Sequence, residues 1–295
     1  MNSVKDFLNK YKLELNRYTQ KKDVRILDTN KGKYVIKKKK NNNIDAVYNY
    51  LKSRAFNYYP DKIINDPEYD VFEYISDYDE PSEQKILDLV KLMAMLHSKT
   101  TFYKEVDIDD YKKIYEDLLK NIEYLYNYYT DIINIIESEV YMSPVSYLIA
   151  RNINIIYESI DYSKKTLEKW YKLIKDKRRQ RVVNIHNNLE LEHYIKNDKS
   201  YFISWEKSKI DMPIYDIYVL YKKHYLDFDF NEIFKYYESI YPLMEEEKLL
   251  LFVILCIPDK ISLTGSQYEL CKKVRKSIDY LYKTLALISE NSITS

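Results

Sequence analysis

Glycine is nearly absent. The chain has two, Gly32 and Gly265, among 295 residues, where ordinary usage of ~7% would give roughly twenty. A loop that cradles phosphate needs several glycines close together, so that backbone amides reach the anion with no Cβ in the way. No such loop can be written here. That excludes P-loop enzymes, typical dinucleotide-binding proteins and a glycine-rich phosphate loop. Cysteine is equally scarce: Cys256 and Cys271 both fall in helical patterning. Two cysteines make no disulfide framework, and free thiols in a reducing cytoplasm are expected.

Long hydrophobic runs are missing too. The longest, residues 249–257, is far short of the ~20 residues of a membrane helix, so no membrane insertion is expected. Residues 1–12 carry charges throughout and lack the apolar core of a secretory signal. Neither sign of charge dominates: 47 basic and 46 acidic residues leave +1. The chain as a whole is no electrostatic trap, and no nucleic-acid partner is expected. The cluster Lys175, Lys177, Arg178, Arg179 and Arg181 has no interleaved aromatic and reads as a solvated helix end. The 34 tyrosines read as amphipathic filler with a polar tip.

What is present is a change of pattern along the chain. Val24-Arg25-Ile26-Leu27 and Tyr34-Val35-Ile36 flank a polar stretch with Asn30 and Gly32, a hairpin signal. The spacing predicts a helix over 44–56, then a second hairpin from 62–64 and 69–75 with Pro67 in its turn. Residues 37–43 are a polar, basic run, and residues 76–81 a polar hinge. From Ser82, a candidate N-cap, apolar residues Ile86, Leu89, Val90, Met93 and Leu96 fall at helical spacing. Helices are predicted at 108–139, 144–160, 163–177, 215–225, 230–241, 245–256 and 267–288. A β-like interlude at 181–205 interrupts them. The layout is α+β and two-lobed: a small β-rich N-terminal lobe, residues 1–77, and a larger, mostly helical C-terminal lobe, residues 78–295, with a loop and hairpin at 181–206.

That interlude carries the chemistry. Residues 182–195 run from apolar strand through a polar loop, Ile185-His186-Asn187-Asn188-Leu189, to a short strand. A turn at Asn197-Asp198 leads to a second strand and then Ile203-Ser204-Trp205-Glu206. The stretch resembles the aminoglycoside-phosphotransferase-like kinases. Their catalytic loop runs His-Gly-Asp-Leu-x-x-x-Asn, followed by a hairpin and Ile-Asp-Phe/Trp-Glu. By that resemblance His186 takes the loop histidine, Asn188 the catalytic Asp, His193 the metal-binding Asn and Ser204 the magnesium Asp, while Glu206 keeps the following acid. Tyr34-Val35-Ile36-Lys37 looks like the strand of the phosphate-pairing lysine. Phe72-Glu73-Tyr74-Ile75 looks like the interlobe hinge. Residues 92–97 resemble a helix end of these kinases, and Pro213-Ile214-Tyr215-Asp216 the helix start whose Asp braces the catalytic loop. Phe234 to Pro242, the helix that follows, and Ile257-Pro258-Asp259-Lys260 resemble the tail of the bacterial spore-coat kinase-like proteins. The resemblance implies a protein-kinase-like fold in which Lys37, Glu73 and Glu206 face a nucleotide.

The departures are chemical. An amide at Asn188 cannot take a proton, and a positioned base contributes ~10²–10⁴ in rate. Ser204 offers a neutral oxygen where magnesium prefers an anionic one, and His193 is a poor magnesium ligand for the same reason. The helix after Lys37 lacks glutamate, with Asp45 the nearest acid able to pair with Lys37. Glu206 reads as a structural acid near Lys207 or Lys37, and His186 and His193 as loop histidines, not a metal pair. His97 reads as a packing or capping residue. The expectation is a catalytically inactive kinase-fold protein, a pseudokinase. It would act by binding a protein partner in the cytoplasm or a spore-associated assembly of a Firmicutes-like bacterium, with no cofactor and no metal. The alternative is a divergent ATP- and Mg-dependent small-molecule phosphotransferase, or a nucleotidyl transferase, using Lys37 and Glu206. In a third reading the resemblance is accidental and the chain is a helical scaffold without a five-stranded lobe.

Overall fold

Strand propensity and turn chemistry build the first part of the chain into one antiparallel sheet. The computed structural model describes residues 2–21, 23–39 and 44–291. Helix α1 (Asn2–Lys10) leads into β1 (Leu15–Lys21), β2 (Val24–Thr29) and β3 (Gly32–Lys38). Then come α2 (Ile44–Ser53), β4 (Lys62–Asn65) and β5 (Tyr69–Glu73), and the five strands are ordered β1-β2-β3-β5-β4. The β2–β3 turn closes on Thr29 opposite Gly32. Gly32, at φ +126°, takes a conformation that a residue with a Cβ rarely adopts. Phe7 and Leu8 of α1 bury one face of the sheet against Leu27, Ile36 and Val71. Asp66 pins the arrangement. One oxygen accepts the Glu68 and Tyr69 amides at 2.9 and 3.1 Å, shaping the turn around Pro67, and the other accepts Lys10 at 2.7 Å and the Tyr11 hydroxyl at 3.0 Å.

The remainder is mostly helical: α3 (Ser82–Thr100), β6 (Phe102–Glu105), α4 (Ile108–Ser138), α5 (Pro144–Ile174), β7 (Arg179–Ile185), β8 (Tyr194–Lys196), β9 (Ser200–Phe202), β10 (Lys209–Asp211), α6 (Ile214–His224), α7 (Phe230–Ile240), α8 (Glu245–Cys256) and α9 (Gln267–Asn291). The chain divides into two compact units, Met1–Leu92 with Asn188–Ser208, and Met93–Asn187 with Lys209–Ser295. In the second, β7 is the central strand between β6 and β10, and α5 buries Ile149, Ile156, Leu167 and Trp170. The fold is α+β, with a small antiparallel-sheet lobe and a larger helical lobe. The five-stranded sheet removes the helical-scaffold reading.

Several elements differ from expectation. β1, β6 and β10 were not anticipated: each is short or exposed on both faces, so none shows an alternating apolar pattern. The predicted helices 144–160 and 163–177 are one helix. Ser163, the first residue of the second predicted range, is buried inside it and donates to the Val253 carbonyl at 3.5 Å. Ser82 is the first helical residue, and its hydroxyl goes to Glu83 while Pro81 accepts the Lys85 amide. α2 stops at Ser53, three residues short of the expected end. Of the basic run, β3 takes Lys37 and Lys38, and residues 40–43 lie outside the described residues. Among the described residues no helix is long and apolar enough to cross a membrane.

Candidate functional site

The loop begins where β7 runs out. Its pairing with β6 ends at Phe102 opposite Val182. Beyond that point the Asn184 amide must find another acceptor, and the buried Thr100 hydroxyl supplies it at 3.0 Å. The next two amides turn to a side chain. Asp216 on α6 accepts the His186 amide at 2.8 Å and the Asn187 amide at 2.6 Å, one on each oxygen. His97 Nε2 donates to the same carboxylate at 3.1 Å, and His97 Nδ1 meets the Tyr237 hydroxyl at 2.7 Å. His97, His186 and Asp216 are wholly buried. The carboxylate only accepts, so Nε2 carries a proton, and burial holds the Tyr237 phenol far above its ordinary pKa, so Nδ1 meets a protonated hydroxyl. Asp216 braces the loop, as the resemblance implies. His97 is more than packing: it links that brace to α7.

Asn187 sits at φ +56° and Ser204 at φ +67°. Asn187 occupies the position that is glycine in the resembled motif. Asn is one of the few residues that visit the left-handed region readily, which is how a chain poor in glycine makes this loop. Asn188 has its carbonyl engaged by His193 Nδ1 at 2.6 Å. A carbonyl only accepts, so Nδ1 carries the proton. Glu190 Oε1 lies 3.2 Å from the same nitrogen. The His193 carbonyl takes the Ile203 amide at 3.0 Å, which ties the loop to the residue before Ser204.

The left-handed turn at Ser204 is anchored by Trp205. That side chain is buried against Phe56 and Phe202, and its ring N–H donates to the Phe202 carbonyl at 2.8 Å. With Trp205 fixed inward, the side chains on either side meet β3. Lys37 Nζ lies 2.5 Å from Glu206 Oε1 and 3.2 Å from Ser204 Oγ. The Lys37 and Glu206 side chains are 18% and 28% exposed, so the pair is screened less than a surface pair.

Lys37, Ser204 and Glu206 are thus brought together, as are Asn188 and His193. Glu73 ends β5, exposed, with its amide on the Asp61 carbonyl at 3.0 Å. Asp45 does not pair with Lys37. Its two oxygens lie 2.7 and 2.8 Å from Lys62 Nζ, which also meets Asp70 at 3.0 Å. Tyr48 on α2, which sequence reasoning passed over, stacks on Tyr59 at 4.1 Å. Burial first, then the nearby Glu206 charge, push its phenol well above the usual range. Arg181 is not part of a solvated helix end. It lies on β7, half-buried, with Nε 2.9 Å from Glu247 Oε1, a second contact to Glu247, and the Tyr241 ring 4.6 Å away. Lys177 pairs with Glu246. Among the described residues no three His, Cys, Asp or Glu side chains converge to hold a metal ion.

The sequence matches no protein-family model and no curated protein. Solved structures do match. An aminoglycoside phosphotransferase from Alicyclobacillus acidocaldarius superposes with a TM-score of 0.61 at 9% identity, covering 94% of this chain and 89% of that one. AMP-bound spectinomycin phosphotransferase gives 0.58 at 14% identity over 97% and 98% of the two chains. Its complex with ADP and spectinomycin gives 0.54 at 13% identity over the same shares. At these identities the likeness establishes the fold: the kinase-like fold of the aminoglycoside phosphotransferases.

Proposed function

We propose that the chain is a kinase-fold protein that works by binding and does not transfer phosphoryl groups. One observation carries the reading: the ammonium of Lys37 is engaged by Glu206 at 2.5 Å, with the neutral Ser204 hydroxyl beside it. Phosphoryl transfer is positioning plus neutralisation of phosphate charge by cations and metal. Here the cation is balanced by a carboxylate. The resembled magnesium position holds a neutral oxygen, and the resembled base position holds the amide of Asn188. A triphosphate would have to displace Glu206 from Lys37 and would find no carboxylate at 204 for its metal. The partner in this reading is a protein, and the spore-coat setting rests on the sequence resemblance alone.

A divergent phosphotransferase is the second reading. It is favoured by the convergence of Lys37, Ser204 and Glu206 and by the fold neighbours, phosphotransferases solved with AMP and with ADP. In it Lys37 releases Glu206 to take phosphate, and Glu206 holds the metal. Thermal unfolding with ATP, with and without Mg²⁺ or Mn²⁺, separates the two. The binding-only reading expects no metal-dependent shift. A stabilisation of several degrees that needs metal, and that Lys37→Ala and Glu206→Ala abolish, overturns it.

A further inference from the structure

The polar stretch 76–81, which reads in the sequence as a hinge, is strapped to the β8–β9 hairpin, and both belong to the first unit. The Tyr78 amide donates to the Lys196 carbonyl at 2.8 Å, and the Lys196 amide donates to Asp77 Oδ1 at 2.8 Å. Asn197 Nδ2 donates to the carbonyl and the hydroxyl of Ser76 at 2.7 and 2.9 Å. Side chains of α3 complete the clasp. Lys85 Nζ donates to Asp77 Oδ2 at 2.5 Å, and Asp88 Oδ2 accepts Lys196 Nζ at 2.8 Å. Asp88 Oδ1 accepts Gln84 at 2.9 Å, and the Tyr194 hydroxyl lies 2.8 Å from Ser200 Oγ.

One group at this clasp lacks a donor. Glu80 Oε1 is buried, and among the described residues it has no hydrogen-bond partner. Such an oxygen is far costlier to bury on an ionised carboxylate than on a protonated one. The charged side chains acting on Glu80 are Asp77 in the same stretch, Lys85 and Asp88 on α3, and Lys196 on β8. The Glu80 charge in turn reaches the Tyr194 phenol. The two lysines already serve Asp77 and Asp88. An ionised Glu80 therefore leaves this set with an excess negative charge, and a protonated Glu80 leaves it balanced. Burial first, then the Asp88 charge, raise the Glu80 carboxyl above its ordinary value of 4.5, against the pull of Lys196 and Lys85.

We propose that residues 76–81 form a proton-operated latch on the β8–β9 hairpin, closed while Glu80 is protonated and loosened when Glu80 ionises and turns to water. The sign follows from linkage. The closed latch holds the Glu80 proton more tightly than the open one, so closing gains as pH falls through the Glu80 midpoint and loses that gain as pH rises above it. The latch grips the hairpin at its tip, around Lys196 and Asn197. The other end of the same hairpin runs into His193 and Ser204, tied together by the Ile203 amide on the His193 carbonyl at 3.0 Å. Protonation thus stiffens the element that ends in both of these site positions. The inference is independent of whether the Lys37 site binds nucleotide.

Carbon-detected NMR titration of the Glu80 carboxyl in the full chain tests it, together with amide exchange at Tyr78, read as protection relative to an unstructured peptide at each pH. Glu80 should titrate above 4.5, and Tyr78 protection should rise several-fold as pH falls through the Glu80 midpoint. Glu80→Gln is neutral and of the same shape. It should show the high protection already at neutral pH and lose the pH dependence. Circular dichroism verifies its folding, and the wild-type titration and exchange decide alone if the variant does not fold. A Glu80 midpoint at or below 4.5 overturns the inference, as does Tyr78 protection that does not follow that midpoint. A Glu80→Gln variant that keeps the wild-type pH dependence also overturns it, and assigns the titration to Asp77 or Asp88.

Discussion

Asp216 and Asn187 define each other's conformation. The carboxylate accepts the Asn187 amide at 2.6 Å while Asn187 holds φ +56°, and the other oxygen takes the preceding amide of His186 and the ring of His97. Asp216→Asn would turn an amide NH₂ toward these donors and leave a buried N–H without an acceptor, which costs ~1–3 kcal/mol for each group stranded. We predict a loss of about 3 kcal/mol in urea unfolding, with faster amide exchange at positions 186 and 187. Unchanged exchange there would show that the brace is not what holds the loop.

The left-handed residues make a second, sharper prediction. Asn187→Val and Ser204→Val place a β-branched residue at positive φ, at a cost of roughly 1–3 kcal/mol each. Asn187→Gly should be close to neutral, because relief of strain offsets the greater freedom of the unfolded chain. Denaturant midpoints of the two Asn187 variants should therefore fall on opposite sides of a gap of more than about 1 kcal/mol.

Acid stability should depend on Asp66. Burial disfavours its charge, but Lys10, the Glu68 and Tyr69 amides and the Tyr11 hydroxyl outweigh that and lower the carboxyl from 3.8 to about 2. A group depressed on folding stabilises the fold above its unfolded pKa, and that contribution fades as pH falls through the folded value. The window is therefore pH ~4 to ~2, and the contribution above it about 2 kcal/mol. Asp66→Asn should lose this amount at neutral pH and show a flatter stability profile below pH ~4.

The Lys37–Glu206 pair predicts a gain of function. Glu206→Ala removes the carboxylate that occupies the ammonium, so inorganic tripolyphosphate should bind this variant at least about tenfold more tightly than wild type, a difference of ~1.4 kcal/mol. Lys37→Ala in the same background should abolish the gain. Equal affinity in wild type and Glu206→Ala would mean that the pair does not block the site.

The fold was legible where the pattern was long. α4 and α8 carry sustained apolar faces and came within a residue of their predicted ends. β1 was not legible, because Leu15–Lys21 is exposed on nearly every residue and alternation appears only when one face is buried. The break between the two predicted ranges is absent from α5, where the polar Ser163 is buried and its hydroxyl is satisfied by a carbonyl of α8. At the site, order and spacing brought Lys37, Ser204 and Glu206 into one reading, and the structure joins them. Pairing was harder. Asp45 is near Lys37 in sequence, yet it faces Lys62, since partners across a sheet and helix are set by register and not by separation along the chain. The Arg181–Glu247 pair joins a strand to a helix across 66 residues, and nothing local announces it.

The central claim is that this kinase fold lacks the charge arrangement that metal-bound ATP requires. Calorimetric titration of the wild-type chain with ATP, once with Mg²⁺ and once with chelator, tests it most directly. The account predicts the same weak or undetectable affinity in both. An affinity at least about tenfold tighter with Mg²⁺, a coupling of ~1.4 kcal/mol, lost in Glu206→Ala, would contradict it.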